Sequence, residues 1–201
     1  MQSKKYPLVE EFYSIQGEGY HSGKAAYFIR LAGCDVACSW CDAKESWSVK
    51  KHPLVDVAQL VENVVTSGAR YVVVTGGEPL LHDLAPLCSA LHSMGVEIFL
   101  ETSGTQPLSG SFDWICLSPK RNKKPLAELL LAASELKVVV EDDDSFSWAL
   151  ECADKVAPEC LLYLQVEWSR SSELMPKIVD YAKRDPRWII SIQTHKYMMI
   201  P

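Results

Sequence analysis

Seven short runs of apolar, β-branched or aromatic residues recur along the chain, at residues 26–31, 71–74, 96–100, 114–117, 136–140, 161–166 and 188–192. Within each run the apolar positions are continuous instead of alternating. That pattern predicts strands covered on both faces, as in parallel sheets sandwiched by helices. Helical spacing fills the gaps. Leu54, Val57, Leu60, Val61 and Val64 form one apolar stripe at intervals of three and four. Asp83 is placed to cap a helix through Leu91, with Gly95 as its stop. Ser145 opens a further helix through Val156. Another runs from Ser171 to Arg184, with Pro176 in its first turns or delaying its start.

Strand and helix alternating in this way predict an α/β fold with a mainly parallel sheet. About six βα units are too few for a closed eight-stranded barrel, so the expectation is an open, partial (β/α)6-type barrel, built as one domain over residues 1–201. Function in such folds gathers in the loops after the strand C-termini. No internal repeat, low-complexity stretch or linker breaks the pattern. The acidic triplet at 142–144 reads as a solvated turn.

Composition narrows the classes. The 201 residues are 48% hydrophobic and 23% charged, as in an ordinary globular chain, and the net charge is −6. That balance argues against non-specific nucleic-acid binding, which needs surplus Lys and Arg against phosphate. No apolar run reaches the roughly 18 to 20 residues that span a bilayer. Lysines near Met1 are not followed by an apolar leader segment, so no secretory signal is read and the cytoplasm is the default. In that compartment the seven cysteines, an odd number, are expected to be thiols or metal ligands.

Three of them are clustered. The first long strand runs into Gly33-Cys34-Asp35-Val36-Ala37-Cys38-Ser39-Trp40-Cys41, a C-x3-C-x2-C spacing. Soft thiolates this close on one loop suit an iron–sulfur cluster or zinc. A closed zinc site needs a fourth ligand, for which His52 is a candidate. The next strand leads into Thr75-Gly76-Gly77-Glu78-Pro79, where glycines let backbone approach a ligand. Cys88, Cys116, Cys152 and Cys160 sit in apolar contexts and read as buried small hydrophobes. The cysteine spacing together with the Gly-Gly-Glu-Pro turn resembles the radical S-adenosylmethionine superfamily. The resemblance implies that Cys34, Cys38 and Cys41 hold a 4Fe–4S cluster whose fourth iron chelates S-adenosylmethionine.

Further segments sharpen it: Ile15-Gln16-Gly17-Glu18-Gly19, Ala26-Tyr27-Phe28-Ile29-Arg30-Leu31, Glu101-Thr102-Ser103-Gly104-Thr105, Leu117-Ser118-Pro119-Lys120, Glu135-Leu136-Lys137, Gln193-Thr194-His195-Lys196-Tyr197 and Pro201. Together they resemble the 7-carboxy-7-deazaguanine synthase family over nearly the whole chain. The resemblance implies ring contraction of 6-carboxy-5,6,7,8-tetrahydropterin with loss of ammonia. It implies substrate contacts at Ile15, Gln16, Gly17, Arg30, Thr75, His195 and the carboxylate of Pro201. It implies cofactor contacts at Trp40, Asp42, Gly77, Ser118, Pro119 and Lys120, and more loosely at Gln165, Val166, Glu167 and Trp168. A guanidinium at Arg30 suits a carboxylate, or else a structural ion pair. Glu18 is either a substrate ligand or a structural carboxylate. Mg2+ is also implied, but Ala43 stands where many members carry a Thr or Ser ligand. A methyl cannot ligate, which leaves water or Asp42. A homodimer and a flavodoxin- or ferredoxin-type reductant follow from the same resemblance. The rival readings are an activating enzyme for a glycyl-radical protein and a non-catalytic iron–sulfur or zinc module.

Overall fold

The computed structural model describes residues 4–201, so the first three residues of the segment inspected for a leader lie outside it. Among the described residues nine strands form one sheet. In chain order the elements are β1 (Lys5–Ile15), β2 (Ala25–Leu31), β3 (Leu54–Asp56), α1 (Val57–Ser67), β4 (Tyr71–Gly76), α2 (Ala85–Ser93), β5 (Glu97–Thr102), β6 (Trp114–Leu117), α3 (Ala127–Ala132), β7 (Glu135–Val140), α4 (Asp144–Ala153), β8 (Leu161–Val166), α5 (Ser171–Arg184), β9 (Trp188–Ser191) and α6 (Thr194–Met198). The strand order is β3-β1-β2-β4-β5-β6-β7-β8-β9. From β2 to β9 every neighbouring pair is parallel, and β1 lies antiparallel to both β2 and β3. The sheet ends at β3 and β9 without closing, the open partial barrel expected from the strand–helix alternation.

The pleat sorts side chains onto two faces. Tyr27, Ile29 and Leu31 of β2 join Leu60 and Val64 of α1, Leu87 and Leu91 of α2 and Ile178 of α5 in the main core beneath the helices. The concave face begins with a smaller apolar cluster of Ala26, Phe28, Val73 and Phe99, packed by Phe12, Tyr71 and Trp114. One pleat further along the strands this face turns polar, at Arg30, Thr75, Glu101, Lys137 and Gln165. The aromatic layer thus plugs the N-terminal end, and the C-terminal end is left for chemistry.

All seven predicted strands are present, with ends shifted by a residue or two. β1 carries Glu10 and Glu11 and a register shift between Leu8 and Glu10, which break any apolar run, so its sequence did not announce it. Leu54 belongs to β3 and is exposed, not part of the helical stripe. Asp83 accepts from the Ala85 amide at 3.1 Å at the start of α2. The acidic turn is not merely solvated: Asp142 pairs with Arg121 and accepts from the Ser145 amide at 3.0 Å. Pro176 lies inside α5. Replacing Leu100, fully buried at the sheet centre, with Ala is expected to cost about 2–5 kcal/mol. The check is a lower urea midpoint at unchanged slope.

Candidate active site at the strand C-termini

The cysteine loop leaves β2 and docks against the end of β4. The Gly77 amide donates to Leu31 O at 3.1 Å and the Glu78 amide to Gly33 O at 2.7 Å. Only glycine permits this approach. A Cβ at Gly76 would stand 2.2 Å from Leu31 O, and one at Gly77 2.4 Å from Gly33 O and 2.7 Å from Cys34 Cβ. The fully buried Glu78 carboxylate accepts from the Leu80 amide, the Thr102 hydroxyl, and both the amide and hydroxyl of Ser103, all within 3.0 Å. Asp35 holds the loop from the other side, accepting from Thr105 Oγ1 at 2.9 Å, Gln106 Nε2 at 2.6 Å and Lys123. Asn122 Nδ2 donates to Val36 O at 2.9 Å. Ala37, between Cys34 and Cys38, takes the left-handed region at φ 53°, a strained choice for a side-chain-bearing residue that these ties hold in place.

A cavity of about 750 Å³ opens above the polar layer. Cys34, Cys38 and Cys41 line it, as do the expected cofactor positions Trp40, Asp42, Gly77, Ser118, Lys120, Gln165, Val166, Glu167 and Trp168. So do the expected substrate positions Ile15, Gln16, Gly17, Arg30, Thr75, His195 and Pro201. Pro119 is the exception. It is buried while its neighbours Ser118 and Lys120 line the cavity. Arg30 both lines the cavity and pairs with Glu10 at 2.7 Å. His52 is spent on Glu45 O at 2.9 Å and does not complete a zinc shell.

The cysteines fit an iron–sulfur cluster. Among the described residues, one set of three His, Cys, Asp or Glu ligand atoms lies mutually within 4.8 Å, and it is Glu101, Cys116 and Glu135. The three loop sulfurs are therefore more widely spread than a single ion would gather them, which suits a multi-iron centre. Gly76 and Gly77 line the cavity beside Cys34.

The cavity floor is a buried charge layer that the sequence reading had not assembled. Lys137, 3% exposed, donates to Glu18 at 2.7 Å and Glu101 at 2.9 Å. Gln193 donates to the other Glu18 oxygen at 2.8 Å. Burial alone would raise the Glu18 carboxyl, yet the Lys137 charge and these hydrogen bonds bring it down to about 2. Glu101 goes the other way: burial raises it, with Glu18 and Glu135 adding to the rise against the pull of Lys137. Lys137 stays protonated, its pKa raised by the surrounding acids despite burial. Burial lowers His195, which favours the neutral ring. Gly17 sits against that ring, where a Cβ would fall 2.3 Å from Nδ1. The available signal for this layer was polar residues inside otherwise apolar strands: Glu101 in β5, Lys137 in β7 and Gln165 in β8.

Lys137→Met removes the one cation between two carboxylates and is expected to cost about 3–5 kcal/mol. Glu18 titrates below its ordinary 4.5 in the fold. Its contribution is therefore complete above that pH and is lost as pH falls from 4.5 toward 2. With Lys137 gone, only the glutamine hydrogen bonds oppose burial at Glu18, and its pKa rises. Urea midpoints measured against pH should then fall at higher pH in the variant than in the parent.

The family model described as Radical SAM superfamily matches residues 28–117. The chain is 52% identical to the 7-carboxy-7-deazaguanine synthase of Flavobacterium psychrophilum, covering 97% of this chain and 92% of that protein. It is 50% identical to that of Synechocystis, covering 96% and 92%, and 33% identical to that of Escherichia coli K12, covering 98% and 99%. The crystal structure of QueE from Escherichia coli superposes with a TM-score of 0.83 at 30% identity, covering 94% of both chains. With the superfamily come its cofactors, a 4Fe–4S cluster and S-adenosylmethionine. Near-complete coverage at these identities, on an open parallel barrel with a three-cysteine loop at its mouth, shows that the chain belongs to the 7-carboxy-7-deazaguanine synthase family of radical S-adenosylmethionine enzymes.

Proposed function

We propose that this chain converts 6-carboxy-5,6,7,8-tetrahydropterin to 7-carboxy-7-deazaguanine with loss of ammonia, a carbon–nitrogen lyase step of queuosine and 7-deazapurine biosynthesis. The observation that carries this reading is the shared cavity. One space of about 750 Å³ is faced by the cysteine loop on one side and by Gln16, Gly17, Arg30, His195 and Pro201 on another. A cofactor at the cluster and a small heterocyclic acid thus meet without crossing solvent.

In this reading Cys34, Cys38 and Cys41 hold the cluster. Trp40, Asp42, Gly77, Ser118, Lys120 and the segment from Gln165 to Trp168 receive S-adenosylmethionine. When bound there, that cofactor would supply 5′-deoxyadenosyl radical chemistry toward the substrate. The chain's own residues bind, orient and exclude water. Arg30 presents its fork to the substrate carboxylate. The Gln16 carboxamide and the backbone of Ile15 and Gly17 read the donor–acceptor edge of the heterocycle, and Thr75 and neutral His195 flank it. Pro201 lines the cavity, its O accepting from Ser14 Oγ at 3.3 Å. Lys137 fixes the Glu18 and Glu101 carboxylates as acceptors for ring N–H groups. Residue 43 offers only a methyl, so water or Asp42 would supply the protein-side oxygens that hold Mg2+.

The reading extends to one catalytic domain, since all nine strands share one sheet. It places the chain in a reducing cytoplasm. Among the described residues no helix is long and apolar enough to cross a membrane. It also includes a homodimer and a flavodoxin- or ferredoxin-type electron donor, as family resemblance suggests.

Anaerobically reconstituted protein given the pterin, dithionite and S-adenosylmethionine should form the deazapurine, detected by mass. Changing Cys34, Cys38 or Cys41 to Ala should remove both the brown chromophore and the product; a colourless protein that binds zinc instead defeats the proposal. Ala43→Thr restores a hydroxyl beside Asp42. It should lower the Mg2+ concentration for half-maximal turnover several-fold, and an unchanged Mg2+ response would place the ion elsewhere.

A further inference from the structure

We propose that the exposed segment from Lys44 to Lys51, with Leu81, is the docking patch for a small acidic one-electron carrier protein that reduces the cluster. The inference rests on the reading of the three cysteines as cluster ligands. Among the described residues, the lysines and arginines whose side chains make no ion pair, hydrogen bond or ring contact are Lys44, Lys50, Lys51 and Arg70. Three of the four fall within eight residues. All three are exposed, and Glu45 is the one acid between them. On a chain of net charge −6 this is a local positive field with no internal use. Other cations, such as Arg121, Lys124 and Lys177, are tied to acids of the same chain.

The patch sits on the cysteine loop. The Gly33 amide donates to Ser46 O at 2.7 Å and the Cys34 amide to Trp47 O at 3.3 Å. The segment therefore backs directly onto the first cluster ligand. Its outer side also carries an apolar centre. Val49 is 46% exposed and Leu81 40%, and the two close over Gly33. A Cβ there would lie 3.1 Å from Val49 Cγ1 and 3.4 Å from Leu81 Cδ1. Gly33 holds φ +110°, so a residue without a side chain is needed twice over. A small apolar contact ringed by cations is what a transient electron-transfer encounter requires. Such interfaces are small, and complementary charge sets their rate of association. Trp47 faces the cavity from the inner side of the same segment, so the carrier approaches from outside while cofactor and substrate occupy the interior. One electron leaves the carrier, oxidising it by one equivalent, and enters the cluster, reducing it by one.

The test uses reconstituted holoenzyme and flavodoxin as the probe. Binding is followed by titration calorimetry at low and at 0.5 M salt, and product is measured with flavodoxin or dithionite as reductant. The triple variant Lys44→Glu, Lys50→Glu, Lys51→Glu is expected to weaken flavodoxin binding at least tenfold. It should slow flavodoxin-driven turnover in proportion and leave dithionite-driven turnover within twofold. Raised salt should weaken parental binding and change that of the variant little. An equal-charge control, Lys155→Glu, Lys177→Glu, Lys183→Glu, should bind as the parent does. Equal affinity in the patch variant, or an equal loss in the control, overturns the docking site. Failure of the parent to make deazapurine with dithionite defeats the catalytic reading separately, while the binding comparison still decides the patch.

Discussion

The site depends on one close approach of backbones. The ends of β2 and β4 meet so tightly that Gly76 and Gly77 cannot carry a side chain, and through that contact the cysteine loop is hydrogen-bonded to the strand behind it. Everything that positions the thiols follows. Glu78, just past the glycines, is saturated by the Leu80 amide of its own turn and by donors from the β5 end, and Asp35, just past Cys34, by donors from the loop after β5 and from Lys123. The Asp35 carboxylate thus ties the cysteine loop directly, while the Glu78 carboxylate fixes the glycine turn whose amides bond to it. The loop is rigid because its polar anchors are fully partnered, not because it is packed in apolar core.

A second constraint lies opposite. The barrel lumen must pass from aromatic plug to chemical cavity within one pleat, and the change is made by a lysine among acids. Three carboxylates, Glu18, Glu101 and Glu135, crowd one ammonium. The imbalance splits the acids: Glu18 is held ionised while Glu101 is pushed toward the protonated form. One layer thus holds two carboxyl groups on the same ammonium with opposite shifts, side by side on the cavity wall.

Much of the frame was legible because buried parallel strands write themselves as apolar runs. Trp114–Leu117 and Leu161–Val166 appear with the boundaries read from sequence, and α5 runs from Ser171 to Arg184 as expected. β1 was hidden because an antiparallel strand with acids at Glu10 and Glu11 has no such signature, and β3 because three residues carry no period. In the site, the cysteines and glycines were readable because their chemistry is local to a few positions. The Lys137–Glu18–Glu101 layer was not, since its members are separated by 119 and 36 positions and only the fold brings them together.

The central claim is that the loop's three thiolates leave one iron vacant toward the cavity, beside the Gly77 backbone. Electron paramagnetic resonance of the reduced, reconstituted protein tests it most directly. The account expects a cluster signal whose g-values shift when S-adenosylmethionine is added. A signal that does not change on addition of the sulfonium compound would contradict it.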